Sequence, residues 1–267
     1  MGRIEILERN LGYVDENRKV RVYLPEGYDE GEKRYPVVYM HDGQNVFTNE
    51  GAFGGCSWGV KETLEAMEQN GETDGIIVVG VDNNGERRFE DYSPWKNTIG
   101  NAGFTVNTRG GDGALYTKFL VDDLKPWIDA HYRTLPDYDH TAVCGSSMGG
   151  LLSAYMAAAK PEVFGCAGVF SSASWFAREE FNDYIGKSAI PASQKYFVQV
   201  GTNETVSTDE PSMPQLFIDV TLEYVEALLK KGIPCENLRL KITAGGIHNE
   251  AVWREYMGEF FRFFIQK

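Results

Sequence analysis

The sequence predicts an α/β fold: one domain over residues 1–267, with about eight strands in a mostly parallel sheet and helices on both faces. Short apolar runs, typical of strands buried on both faces, alternate with helical segments from the third strand onward. The 267 residues are 42% hydrophobic and 13% aromatic, which is enough to fill one large core. No internal repeat, low-complexity stretch or linker divides the sequence, so we expect a single domain.

The first two predicted strands, 4–8 and 20–24, alternate apolar and polar residues, and turn-forming residues separate them. This pattern predicts an antiparallel pair at one edge of the sheet. The later strands are predicted at 36–40, 76–81, 141–144, 166–170, 196–200 and 238–242.

Helical segments follow most of these strands. Pro126 is expected to kink one helix, and Gly232 with Pro234 ends the helix before the last strand. The irregular segment between residues 83 and 112 is long enough to suggest a function. The helices are predicted at 60–69, 114–132, 150–159, 179–185 and 215–231, with a final helix carrying Trp253, Tyr256, Phe260, Phe261 and Phe264.

The formal net charge of −13 argues against nucleic acid and anionic membranes as partners, because both bind basic surfaces. No apolar run is long enough to span a membrane, and the N-terminal residues lack the basic and then apolar layout of a secretory signal. We therefore expect a cytoplasmic protein, or a secreted one if a leader was removed.

The four cysteines have neither C-x-x-C spacing nor a metal-ligand pattern. Cys144 and Cys166 lie in apolar runs, where a free thiol behaves as a small hydrophobic group. We expect reduced thiols, no metal and no cofactor, and a bridge between Cys56 and Cys235 stays open.

Gly145-Ser146-Ser147-Met148-Gly149 lies between a predicted strand and an alanine-rich helix. Strand, G-x-S-x-G and helix together are the context of a nucleophile elbow, in which the middle Ser occupies a tight, strained turn. The bare pentapeptide is a weak signal, and an ordinary strand-to-helix loop is the alternative. The flanking elements favour Ser147 as a nucleophile.

A Ser nucleophile needs a base, and the base needs an orienting acid. In α/β-hydrolases these follow the Ser in the order acid, then His. Of the four histidines, His248 alone follows Ser147, in a Gly-rich loop after the last strand. Glu204 is the first carboxylate after strand 196–200, with Asp209 and Glu210 as alternatives.

An oxyanion hole requires two backbone N–H groups. We expect one from Met148, directly after the nucleophile, and one from Gln44, in the loop after the first central strand. His41 and Asp42 are expected to hold the shape of that loop.

Ligands of doubly wound sheets bind beyond the carboxyl ends of the strands. Trp58, Trp95 and Trp175 lie in or beside loops that follow strands, so we expect some of them to line a pocket for an aromatic acyl group or a sugar. Packing in the core is the alternative for each.

Four segments together resemble the putative esterase family of α/β-hydrolases: YMHDGQNVF at 39–47, GSSMGG at 145–150, GTNE at 201–204 and HNEAVWR at 248–254. That family includes the feruloyl and acetylxylan esterases of carbohydrate esterase family 1, esterase D, enterochelin esterases and mycolyltransferases. The resemblance implies one α/β-hydrolase domain that cleaves esters through a Ser acyl-enzyme without metal or cofactor. It implies Ser147 as nucleophile and His248 as base, and Glu204 stands where several relatives carry Asp.

The leading hypothesis for the substrate is a small-molecule or oligosaccharide ester, specifically a feruloyl or acetyl ester of a plant polysaccharide. An acyltransferase or a siderophore-ester hydrolase would use the same residues, and a non-catalytic carbohydrate-binding homologue would not use them. The oligomeric state stays open.

Overall fold

The structure is a computed structural model that describes residues 1–98, 105–205 and 213–266. Within these ranges the chain forms one eight-stranded sheet with the spatial order β1-β2-β4-β3-β5-β6-β7-β8. The strands are β1 (Arg3–Asn10), β2 (Asn17–Leu24), β3 (Val37–His41), β4 (Ile77–Val81), β5 (Thr141–Ser146), β6 (Cys166–Phe170), β7 (Lys195–Gly201) and β8 (Leu238–Thr243).

The first two strands form the expected antiparallel pair at one edge, with Arg3 opposite Leu24 and Asn10 opposite Asn17. β2 also pairs antiparallel with β4. All the remaining pairs, from β4 through β3 to β8, are parallel. The carboxyl ends of the six parallel strands therefore share one edge of the sheet, where α/β proteins bind their ligands.

Helices cover both faces of the sheet. Because successive side chains of a strand point to opposite faces, Val37 and Tyr39 join one apolar core while Val38 and Met40 join the other. The helices are α1 (Val60–Gln69), α2 (Arg88–Tyr92), α3 (Gly113–Phe119), α4 (Lys125–His131), α5 (Met148–Ala159), α6 (Arg178–Lys187), α7 (Met213–Lys230), α8 (Glu250–Arg254) and α9 (Met257–Ile265). The predicted fold class is confirmed.

Two helices differ from their predictions. The run predicted at 114–132 comprises α3 and α4, joined by a π-helical turn at Leu120–Leu124. This turn ends two residues before Pro126, which has no N–H and whose ring crowds the preceding turn, so the wider π-helical turn accommodates it. The final helix, predicted as one, is two short helices, α8 and α9, and the Asn249 side chain caps α8 by accepting a hydrogen bond from the Ala251 N–H.

All four cysteines are free thiols, so Cys56 and Cys235 form no bridge. Among the described helices, none combines the length and the apolar character needed to cross a membrane.

Candidate active site

Ser147 occupies the turn between β5 and α5, with φ 58° and ψ −124°. A non-glycine residue in such a conformation costs about 1–3 kcal/mol, and the surrounding structure must enforce it. The flanking glycines allow the turn to close. A Cβ added to Gly145 would lie 2.7 Å from the Gly149 carbonyl oxygen, and one added to Gly149 would lie 3.2 Å from His41 Cβ. The turn has the tight, strained form expected of a nucleophile elbow.

His248 and Glu204 lie in direct contact. The imidazole Nδ1 is 2.6 Å from Oε2 of Glu204, whose side chain is fully buried. The rings of Phe217 and Trp253 flank the imidazole at centroid distances of 5.0 and 5.1 Å. The imidazole is therefore held by one carboxylate and two aromatic walls, which leaves Nε2 for another partner. The alternative acids, Asp209 and Glu210, lie outside the described residues.

The second oxygen of the Glu204 carboxylate is also held in place. Oε1 accepts a hydrogen bond of 2.7 Å from the Gly201 N–H and one of 2.5 Å from the Ser171 hydroxyl. The Ser171 oxygen in turn accepts a 2.8 Å hydrogen bond from Trp253 Nε1. The sequence did not predict this role of Ser171. The unusual backbone conformation of this residue, with φ 42°, is visible only in the structure.

A cavity of about 480 Å³ opens at the carboxyl ends of the parallel strands. Ser147 and His248 both line it, and no hydrogen bond joins their side chains in the described structure. Met148 and Gln44, the expected oxyanion-hole residues, line it too. Met148 begins α5 and Gln44 lies in the one-turn helix Gly43–Asn45, positions where backbone N–H groups lack an acceptor within the helix. All four predicted residues therefore border one space.

His41 and Asp42 brace the loop that carries Gln44. His41 is buried against the rings of Tyr92 and Tyr116, at centroid distances of 5.3 and 5.9 Å. Burial lowers the pKa of His41 to about 4, so the imidazole is neutral at physiological pH. Burial opposes ionisation of Asp42, but the charge and bidentate hydrogen bonds of Arg88, with a hydrogen bond from Asn83, outweigh that effect and hold its pKa below the ordinary value.

The three tryptophans expected near a substrate pocket occupy different places. Trp175 lines the cavity. Trp58 does not: it is buried in the core, with ring centroids 5.0 Å from Phe170 and 5.4 Å from Trp253. Trp95 also lies elsewhere, packed edge-on against aromatic rings of α5 and α6. Trp58 therefore packs in the core, the alternative stated for it, whereas Trp95 is half-buried and borders a separate pocket beside α5 and α6.

Sequence reasoning missed several residues of the cavity. Arg88 begins α2, within the segment that the sequence predicted to be irregular, and Glu250 follows His248 by two positions. Burial is the largest effect on Glu250 and raises its pKa to about 7. The other residues that line the cavity include Asn45, Phe53, Asn83, Phe89 and Trp253. Within the described ranges, no group of three or more His, Cys, Asp or Glu side chains is arranged to hold a metal ion.

The chain is similar to esterases in both sequence and fold. A family model described as "Putative esterase" matches residues 12–264. The uncharacterized protein YbbA of Bacillus subtilis is 25% identical over 233 residues, covering 87% of this chain and 86% of YbbA. An endo-1,4-beta-xylanase/feruloyl esterase of Xylanibacter ruminicola is 29% identical over 243 residues, covering 87% of this chain but 27% of that longer protein.

A solved structure, the siderophore hydrolase EstA from Aspergillus nidulans, shares the fold with a TM-score of 0.74. The alignment covers 98% of this chain and 94% of EstA at 18% identity, so the likeness is one of fold. The family match covers nearly the whole sequence, and it confirms the resemblance inferred from the motifs. The chain belongs to the putative esterase family of α/β-hydrolases and is a carboxylic ester hydrolase.

Proposed function

We propose that the chain hydrolyses its ester through a Ser147–His248–Glu204 triad and a covalent acyl-enzyme. One observation carries the proposal: the imidazole that Glu204 holds through Nδ1 lines the same cavity as the strained Ser147. A weak hydroxyl nucleophile requires a base that is oriented in this way.

In the acylation step, Ser147 Oγ attacks the ester carbonyl carbon while Nε2 of His248 takes the hydroxyl proton. The backbone N–H groups of Met148 and Gln44 stabilise the negative charge that forms on the carbonyl oxygen. The tetrahedral intermediate then collapses, the bond from carbon to the alcohol oxygen breaks, and the imidazolium gives its proton to the leaving alcohol. A water molecule, activated by the same imidazole, releases the acid and restores the serine.

For the substrate we propose a feruloyl or acetyl ester of a plant polysaccharide. Two observations support this choice. Aromatic side chains line the cavity and suit a planar aromatic acyl group; they are Phe53, Phe89, Trp175 and Trp253. One relative, at 29% identity, is named a xylanase/feruloyl esterase. A siderophore ester is the second candidate, favoured by the fold shared with a siderophore hydrolase.

Replacement of Ser147 by Ala tests the mechanism. We expect kcat for p-nitrophenyl acetate and methyl ferulate to fall by about 10⁴- to 10⁶-fold, since a triad loses its function with its nucleophile. Ser153→Ala is a matched control: it removes a buried hydroxyl from α5 that donates to the Gly149 carbonyl and does not line the cavity. The control should keep wild-type kcat. If Ser147→Ala retains most of its turnover, the assignment of Ser147 is refuted.

A further inference from the structure

Arg88 lines the cavity but has no part in the proposed triad. Its Nε and Nη2 donate hydrogen bonds of 2.8 and 2.7 Å to the Asp42 carboxylate, and its guanidinium carbon lies 5.3 Å from the Tyr92 ring centroid. These contacts fix the orientation of the guanidinium plane. Nη1 makes no hydrogen bond to any described residue, so the fixed cation has donor capacity left for a ligand.

Glu250 lines the same cavity, although its side chain is only 4% exposed. Its Oε1 accepts a 3.0 Å hydrogen bond from Asn45 Nδ2, and Asn45 is itself held by the Phe53 N–H at 2.9 Å. Oε2 accepts no hydrogen bond from any other described residue. Because Glu250 borders the cavity, this oxygen can take a hydrogen-bond partner that arrives with the ligand.

The two groups influence each other electrostatically without forming an ion pair. Burial raises the pKa of Glu250 to about 7, and the nearby Asp42 adds to this effect. The backbone N–H of Glu250, the charge of Arg88 and the Asn45 hydrogen bond all oppose the rise in pKa. Near neutral pH the carboxyl is therefore present in both forms, and Oε2 either accepts or donates a hydrogen bond.

Among simple ligand groups, a hydroxyl matches this pair best. Its oxygen can accept a hydrogen bond from Arg88 Nη1 while its O–H donates one to Glu250 Oε2. An anionic group would meet the charge of Asp42 as well as that of Glu250, and an apolar group would leave both polar atoms unpaired. We propose that Arg88 and Glu250 form a hydroxyl-binding subsite, so that the preferred ester carries a hydroxyl group that enters the same cavity as its scissile bond. This inference rests on the proposed ester hydrolysis at Ser147.

The test uses ester pairs that differ by one hydroxyl: methyl 4-hydroxycinnamate against methyl cinnamate, and 2-hydroxyethyl acetate against ethyl acetate. The first pair places the hydroxyl on the acyl part and the second on the alcohol part. A site that hydrogen-bonds a substrate hydroxyl discriminates strongly against the analogue that lacks it, so we expect kcat/KM of wild type to favour the hydroxylated ester of at least one pair on the order of 10²-fold.

Glu250→Leu should reduce that ratio to near unity, whereas Glu255→Leu, an exposed carboxylate at the end of the same helix, should leave it unchanged. Arg88→Lys keeps the charge beside Asp42 but loses the planar fork, and it should also lower the ratio. It serves as the second variant if Glu250→Leu fails to fold, which circular dichroism would reveal.

Hydrolysis of p-nitrophenyl acetate, which carries no hydroxyl, separates the two proposals. If Ser147→Ala abolishes this reaction but wild type shows no hydroxyl preference, or the preference survives in folded Glu250→Leu, the subsite is wrong and the triad stands. If Ser147→Ala retains the reaction, the triad itself is wrong.

Discussion

The Ser171 hydroxyl lies 2.5 Å from Oε1 of Glu204, the carboxylate whose other oxygen lies 2.6 Å from Nδ1 of His248. With the Gly201 N–H as a second donor to Oε1, the carboxylate has hydrogen-bond partners on both oxygens. Trp253 Nε1 donates to the Ser171 oxygen, which directs the hydroxyl proton toward Glu204. Ser171 therefore fixes the orientation of the residue that orients the imidazole.

Ser171→Ala should lower kcat roughly tenfold or more with little change in KM, because a buried hydrogen bond to a charged group contributes about 1.5–3 kcal/mol. Steady-state kinetics with p-nitrophenyl acetate measures the effect. Ser172→Ala is the control, since the neighbouring buried hydroxyl has no hydrogen-bond partner in the described structure. If Ser171 acts through Glu204, its loss should have no further effect in a Glu204→Ala background, where the carboxylate it supports is absent. Equal losses in both backgrounds would contradict the role.

Glu204→Gln should lower kcat by about 10²- to 10⁴-fold. The two donors at Oε1, from Gly201 and Ser171, select the amide oxygen for that position. The amide NH₂ then faces Nδ1 of His248, where it opposes the tautomer that carries a proton on Nδ1. Glu204→Asp should lie between wild type and Gln, because the shorter side chain lengthens the 2.6 Å contact. Wild-type kcat in Glu204→Gln would rule out this acid, and Asp209→Asn would then test the alternative.

The pKa of His41 should make the protein less stable in acid. Its folded-state pKa of about 4 lies below the unfolded value of about 6.5, so the unfolded chain binds more protons between these values. His41 therefore contributes about 3 kcal/mol to the free energy of unfolding above its unfolded-state pKa. This contribution is lost as the pH falls to the folded-state pKa.

His41→Phe isolates this effect, because neither ring nitrogen of His41 has a hydrogen-bond partner in the described structure. Urea unfolding of both proteins from about pH 4 to 7 gives the comparison. The free energy of unfolding of wild type should fall more steeply with acid than that of the variant. Parallel curves would show that the imidazole accepts a proton in the folded state as readily as in the unfolded chain.

The sequence predicted what local patterns determine. Strand positions followed from apolar runs, and the elbow at Ser147 followed from a pentapeptide between a strand and a helix. The contact between Glu204 and His248 was expected from chain order, because both follow neighbouring parallel strands whose carboxyl ends meet.

Features set by tertiary packing were not predictable in this way. Trp58 and Trp175 both lie near strand ends, and nothing local tells which ring meets the core and which meets the cavity. Glu250 has the sequence environment of a solvated residue at a helix start, and its burial depends on Asn45, 205 positions away. Ser171 depends in the same way on Trp253, which is 82 positions away.

The different positions of Trp175 and Trp58 predict different consequences for two tryptophan substitutions. Trp58→Phe removes part of a ring packed against Phe170 and Trp253, so it should lower the urea midpoint while KM stays near wild type.

Trp175 lines the cavity, and its Nε1 has no hydrogen-bond partner within the described residues. Replacement by Phe therefore reduces the aromatic surface of the cavity and removes no hydrogen bond within the protein. Trp175→Phe should therefore raise KM for methyl ferulate several-fold while p-nitrophenyl acetate, with its small acyl group, changes less. The physical reason is that an aromatic acyl group needs the ring as a packing surface and an acetyl group does not. Steady-state kinetics of both variants on both esters provides the measurement. An equal rise in KM for the two esters would mean that Trp175 contacts something other than the acyl group.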